Sequence, residues 1–157
     1  MIITSLQALV FLFYIGFIVY RFGVLPSISE SWYKLEPFRM GFLFTLFCWS
    51  LSMLMLFQTN ETTGLFFASG TGLGFVGAAT MFKSTAALTD KVHGAGAVVG
   101  ILSALLGLGV EYNNWIPMAV FVGIGATLSA FNVKNKIWWI EIVAFLCVIS
   151  GLFYRFV

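Results

Sequence analysis

Pro26-Ser-Ile-Ser-Glu-Ser-Trp-Tyr-Lys-Leu-Glu-Pro37, with Arg39 just beyond it, is the longest polar interruption in an otherwise apolar chain, and it separates two runs long enough to cross a bilayer. Ser27 and Glu30 have the S-x-x-E spacing of a capping box, in which each side chain satisfies a free backbone N–H at a helix start. Ile28, Trp32 and Leu35 fall at i, i+4 and i+7 on one apolar face, while Ser31 and Lys34 point the other way. The stretch is therefore predicted as a short amphipathic helix over 27–36 lying in the membrane interface. Packing accounts for Ser27, Glu30 and Trp32 and leaves Ser29, Ser31 and Tyr33 without a structural task.

Working outward, 61% of the 157 residues are hydrophobic and 9% are charged. A soluble domain carries about 25% charged residues, so this chain cannot cover a water-facing surface. Six apolar runs of about 20 residues, the length that spans a bilayer, can be drawn near 2–25, 40–58, 64–82, 92–111, 115–133 and 137–157. They leave no room for a soluble domain. The predicted fold is all-α: one transmembrane domain over 1–157, a polytopic bundle of six helices with the interfacial helix after the first. No basic n-region or cleavage site marks the N-terminus, so the first run is read as a retained span.

The cations set the orientation. Arg21, Lys34, Arg39, Lys83, Lys91, Lys134 and Lys136 fall in or beside loops one, three and five, and Arg155 alone falls on the other side. Because Lys and Arg accumulate on the cytoplasmic face, those loops are predicted inside and both termini outside a cell inner (cytoplasmic) membrane. A net charge of +2 does not suggest nucleic acid as a partner; membrane lipids are the expected surroundings.

Spans three and four are crowded with small residues. Gly70 and Gly74, Gly96 and Gly100, and Ser103 and Gly107 stand four apart, the small-xxx-small spacing that lets helix backbones approach closely. These two spans are predicted to form a tight antiparallel pair. Gly72-Leu-Gly-Phe-Val-Gly77 fits G-x-G-x-x-G literally, but it lies inside an apolar span with no strand before it and reads as helix packing. Trp49, in mid-span, is predicted to pack inside the bundle with its N–H bonded to a neighbouring helix. Thr89 or Asp90 would cap span four, and Asn113 or Asn114 span five.

Few residues offer chemistry. Cys48 and Cys147 fall within spans and read as inert thiols. Asn60-Glu-Thr62 matches a glycosylation sequon but hugs the membrane. His93 is the sole histidine; zinc needs three or four ligands, so no metal and no cofactor is expected. Glu141 enters span six about one turn from the inner surface, and ionisable groups at such depth face a partner or a water-filled cavity. Arg21, Lys83 and His93 share its layer, which leaves an ion pair and an ion or ligand path as the two readings of Glu141. Arg21 itself can snorkel to the headgroups.

Arg21-Phe-Gly-Val-Leu-Pro-Ser-Ile-Ser-Glu-Ser-Trp-Tyr33, Leu43-Phe-Thr-Leu-Phe-Cys-Trp49, Phe75-Val-Gly-Ala-Ala79 and Val92-His93 resemble a group of small multi-spanning bacterial and phage membrane proteins. Those share a P-x-S-I-S-x-S-[YW]-Y motif, an LFTLFCW-like span and a later V-H at a helix start. The resemblance implies that Ser27, Ser29, Ser31, Tyr33 and His93 belong to one cytoplasm-facing cluster, and it brings no activity with it. The expected function is non-enzymatic: binding of a ligand, lipid headgroup or protein partner at Ser27, Ser29, Ser31, Tyr33, His93, Glu141 and Arg21, with a homo-oligomeric channel or transporter as one form. The alternative is a membrane-embedded lipid hydrolase using Ser29 or Ser31 with His93, oriented by Glu30 or Asp90.

Overall fold

The computed structural model describes residues 1–59, 63–79, 86–131 and 133–154, with the side chains of 86–90 left aside. Asn60, Glu61 and Thr62, Lys83, Arg155 and the side chains of Thr89 and Asp90 therefore lie outside the described residues. Among the described residues the fold is all-α: α1 (Ile2–Phe22), α2 (Glu30–Leu35), α3 (Phe42–Leu56), α4 (Leu65–Ala79), α5 (Ala86–Tyr112), α6 (Ile116–Ala130) and α7 (Lys136–Tyr154). Among the described residues three stretches are long and apolar enough to cross a membrane: α1, Lys91–Tyr112 of α5, and α7. The other three long helices, α3, α4 and α6, are apolar but have 15 residues each.

The glycine pattern produces the tightest packing. A Cβ on Gly72 of α4 would stand 2.5 Å from the Gly100 nitrogen and 2.6 Å from the Gly96 carbonyl oxygen of α5, so the two backbones touch. The glycines of α4 serve two faces. Gly70, Gly74 and Gly77 turn instead to α3, where added carbons would meet Leu56, Ser52 and Trp49. Removing side chains also exposes helix carbonyls to donors across the seam. Ser52 Oγ donates to Gly70 O at 2.6 Å, Trp49 Nε1 to Gly74 O at 3.3 Å and Thr45 Oγ1 to Gly77 O at 3.4 Å. Rising α3 numbers meet falling α4 numbers, so the pair is antiparallel. On the opposite face Ser69 Oγ donates to Gly100 O at 2.7 Å.

Three expectations need correction here. Helix α5 already runs from Ala86, so Thr89 and Asp90 lie within it and neither is its N-cap residue. Trp49 does bond a neighbouring helix, but it is 45% exposed and lies along the outside of the α3–α4 seam. Its ring is held there because Gly77 leaves room for the indole edge beside Cys48. Neither Asn113 nor Asn114 caps α6, whose N-cap position is Trp115 with no side-chain bond. Both serve the end of α5 instead: Asn113 adopts the left-handed conformation that asparagine tolerates, and the Asn114 N–H reaches back to Leu108 O at 3.0 Å.

The core sits where α1, α3, α5 and α7 converge. Tyr14 stacks on Phe47 with ring centroids 4.1 Å apart, and Phe11 meets Phe145 at 5.0 Å. Trp138 at the start of α7 is the largest fully buried side chain. Helix α6 packs chiefly on α7 and presents Val120, Val122 and Ile124 outward.

Candidate functional site

The polar stretch between α1 and α3 is only partly helical. Helix covers Glu30–Leu35, followed by a 3-10 turn at Glu36–Phe38. A Schellman closure ends it: Arg39 is left-handed (φ 58°), its N–H bonds Glu36 O, and the Met40 N–H bonds Leu35 O. Ser27 Oγ accepts the Glu30 N–H at 3.3 Å, which is one half of the expected capping box. Residues 24–28 follow a bent course and are held against α7.

That attachment has a regular register. Asn135 Nδ2 donates to Val24 O at 3.0 Å, the Trp138 N–H donates to Pro26 O at 3.1 Å, and Glu141 Oε2 accepts the Ile28 N–H at 2.5 Å. Asn135, just before α7, and Trp138 and Glu141 within it stand three residues apart. Positions 24, 26 and 28 are alternate residues of the bent segment before α2. Two side chains, Asn135 and Glu141, and one backbone N–H, that of Trp138, thus take up backbone groups of the bent segment. Glu141 forms the innermost of the three attachments.

Behind the loop lies a second network. Ser31 Oγ donates to Ile28 O at 2.5 Å and lies 2.6 Å from Tyr14 OH. The serine has one hydrogen and it goes to Ile28, so the tyrosine donates to the serine. Ser31 is 0% exposed. The expectation that it faces away from the apolar side of the helix is therefore corrected: Tyr14 of α1 supplies the partner that makes its burial tolerable. With both lone-pair and proton engaged, Ser31 is a structural residue. Substituting Tyr14 by Phe should cost about 1 kcal/mol and Ser31 by Ala about 2 kcal/mol, the latter leaving a buried tyrosine hydroxyl unpaired. The double variant should show a coupling energy of about 1 kcal/mol in denaturant unfolding of the detergent-solubilised protein.

Ser29 has a different outlook. Its hydroxyl lies 2.9 Å from Ser27 Oγ, and together with His93, Glu141 and Cys48 it lines a cavity of ≈ 40 Å³ between the loop and helices α3, α4, α5 and α7. Phe44, Phe47 and Phe145 form its walls, and the Phe44 and His93 rings are 6.4 Å apart. About 10–15 Å³ of such space suffices for one water, so the cavity admits a few water-sized groups. Its polar atoms come from the loop, from α5 and from α7, three parts of the chain far apart in sequence.

Other expected site residues stand outside the cavity. Ser27 reaches it through Ser29. Tyr33 is exposed and meets Trp32 edge to face. Arg21 is exposed at the end of α1, with its guanidinium over the rings of Phe22 and Phe38 at 5.9 and 5.3 Å. Glu30 does not line the cavity. Cys48 and Cys147 are free buried thiols. Among the described residues no three His, Cys, Asp or Glu side chains are grouped to hold a metal ion. The aromatic walls and Cys48 are lining residues that composition alone could not separate from core.

Comparison with family profiles, with curated proteins and with solved structures finds no match. The chemistry of the cavity is what speaks to function.

Proposed function

We propose that the protein is a six-span membrane protein, both termini outside, whose cavity at Glu141 binds a small cation from the cytoplasmic side. The observation that carries this reading is the meeting of Glu141, His93 and Ser29 in one aromatic-walled space. A carboxylate inside a span is costly unless it faces a partner or a hydrated space, and aromatic faces attract cations. One oxygen of Glu141 is held by the Ile28 N–H, which fixes the carboxylate without neutralising it. The few water-sized places in ≈ 40 Å³ favour a small cation over a lipid headgroup. Six crossings are supported by the antiparallel succession of α3, α4 and α5 and by the interleaving of 15-residue helices with those long enough to span.

The test is the unfolding temperature of the purified protein in choline, sodium, potassium and ammonium chloride at one ionic strength, and across a pH series. One small cation, the proton counted among them, should shift the transition relative to choline, since a ligand of the native state stabilises by mass action. Glu141→Gln should flatten that response. A wild-type protein indifferent to all of them, or a Glu141→Gln variant that responds as the wild type does, would contradict the reading.

A second reading keeps the hydrolase in play because Ser29 and His93 share the cavity. It requires that His93→Ala and Ser29→Ala abolish fatty-acid release from a labelled phospholipid while both variants stay folded; a wild-type protein that releases none removes it.

A further inference from the structure

The cavity at Glu141 is not the end of the open space inside the bundle. A second cavity of ≈ 30 Å³ adjoins it, with Gln7 and Ser69 among its lining residues. Four residues line both: Leu51 of α3, Leu73 of α4, Ile101 of α5 and Phe145 of α7. Each of the four helices contributes one. On either side of this shared ring the linings advance by about a turn or two along each helix, from His93 to Ala104 on α5 and from Glu141 to Val148 on α7. The two cavities are therefore stacked along the bundle, with Glu141 and Val148 separated by roughly 10 Å of helix.

Polar groups stand at both ends of this axis and none at the ring. At the far end Gln58 Nε2 donates to Gln7 Oε1 at 2.6 Å, both residues buried. Thr4, three residues before Gln7 on the same face of α1, is 1% exposed and its hydroxyl has no partner among the described residues. A buried hydroxyl in that position calls for water. Buried amides and hydroxyls at one end, a carboxylate at the other and an apolar constriction between them match a conduit that gates by wetting and drying.

We propose that this axis is a proton pathway, with Glu141 as the proton acceptor and Leu51, Leu73, Ile101 and Phe145 as its gate. It rests on the small-cation reading of the Glu141 cavity and names the cation. The lining selects the proton. Among the described residues the titratable groups facing Glu141 are His93 from α5 and Cys48 from α3; α4 presents Leu73 and Val76, α7 adds Phe145, and the loop adds Ile28 and Ser29. Nothing at the ring replaces the hydration shell of sodium or potassium, whereas a proton crosses on a transient file of waters. Only O–H bonds change: Glu141 takes a proton from water at its own end and yields it to water in the cavity. The charge carried across is balanced by a counter-ion.

The experiment uses the full chain in vesicles with a trapped pH dye, driven by a valinomycin-set potassium potential. Leu73→Ser, with Ile101→Ser as a second ring variant, should wet the gate, and each is used once it elutes as a single species. Either should admit protons about tenfold faster than the wild type, and adding Glu141→Gln should return the rate to that of protein-free vesicles. Folded ring variants no faster than empty vesicles would overturn the proposal, as would flux that survives Glu141→Gln or potassium leakage without valinomycin equal to proton entry. If flux is absent while the cation-dependent shift in unfolding temperature persists, the pathway falls and the site stands. If both are absent, both fall.

Discussion

Gly72→Leu should leave little folded protein, and Gly72→Ala should lower stability by about 3 kcal/mol, the upper range for overpacking. The size of the effect follows from what the new carbon meets. At Gly72 it meets backbone, the Gly100 nitrogen at 2.5 Å and the Gly96 carbonyl oxygen at 2.6 Å, and neither can turn aside as a side chain could. The helices α4 and α5 would have to separate, and the Ser69–Gly100 bond at the same seam would lengthen with them. Gly94→Ala and Gly123→Ala are the matched controls, because a carbon at either position meets nothing within 4 Å. Those two should be neutral or slightly stabilising through helix propensity. Thermal unfolding in one detergent, read by monodispersity after heating, compares all four variants directly.

Glu141→Leu should be the most damaging change at the site. It removes the acceptor of the buried Ile28 N–H and leaves that donor unpaired, at a cost of about 2 kcal/mol. Glu141→Gln keeps an acceptor oxygen and discards a charge whose burial opposes folding, so it should be close to neutral or stabilising. The contrast separates hydrogen bonding from charge. It is best read by amide hydrogen exchange at Ile28, where the leucine variant should exchange about 30-fold faster than the glutamine variant if local opening dominates. Equal exchange in the two would mean that Glu141 does not hold the loop.

Much of this architecture is written in local pattern. The Ile28–Trp32–Leu35 spacing and the Ser27–Glu30 pair placed a short helix where Glu30–Leu35 forms, and the glycine crowding of residues 64–77 and 93–100 pointed to the α4–α5 contact. Which glycine meets which helix was not legible, because Gly70, Gly72 and Gly74 are equally small and only the rotation of α4 assigns Gly72 to α5. Trp49 misled for a related reason: in a membrane, an exposed indole and a buried one have the same apolar neighbours in sequence. Ser31 looked like a surface residue because its partner, Tyr14, belongs to another helix. The grip of Asn135, Trp138 and Glu141 on residues 24–28 joins segments more than a hundred positions apart, and neither segment carries a motif for the other. Glu141 and His93 stood out by rarity. The phenylalanine walls did not, in a chain with 18 phenylalanines.

The arrangement of the site depends above all on the loop before α2, the start of α5 and the start of α7 facing the same side of the membrane. Single cysteines introduced one at a time at Glu30, Lys91, Lys136, Thr63 and Asn113, in a Cys48→Ala, Cys147→Ala background, test this with an impermeant thiol reagent applied to intact cells and to inverted vesicles. The first three should label in inverted vesicles alone, and the last two in intact cells alone. Labelling of positions 30 and 91 from opposite sides would contradict the six-span arrangement and, with it, a cytoplasm-facing cavity at Glu141.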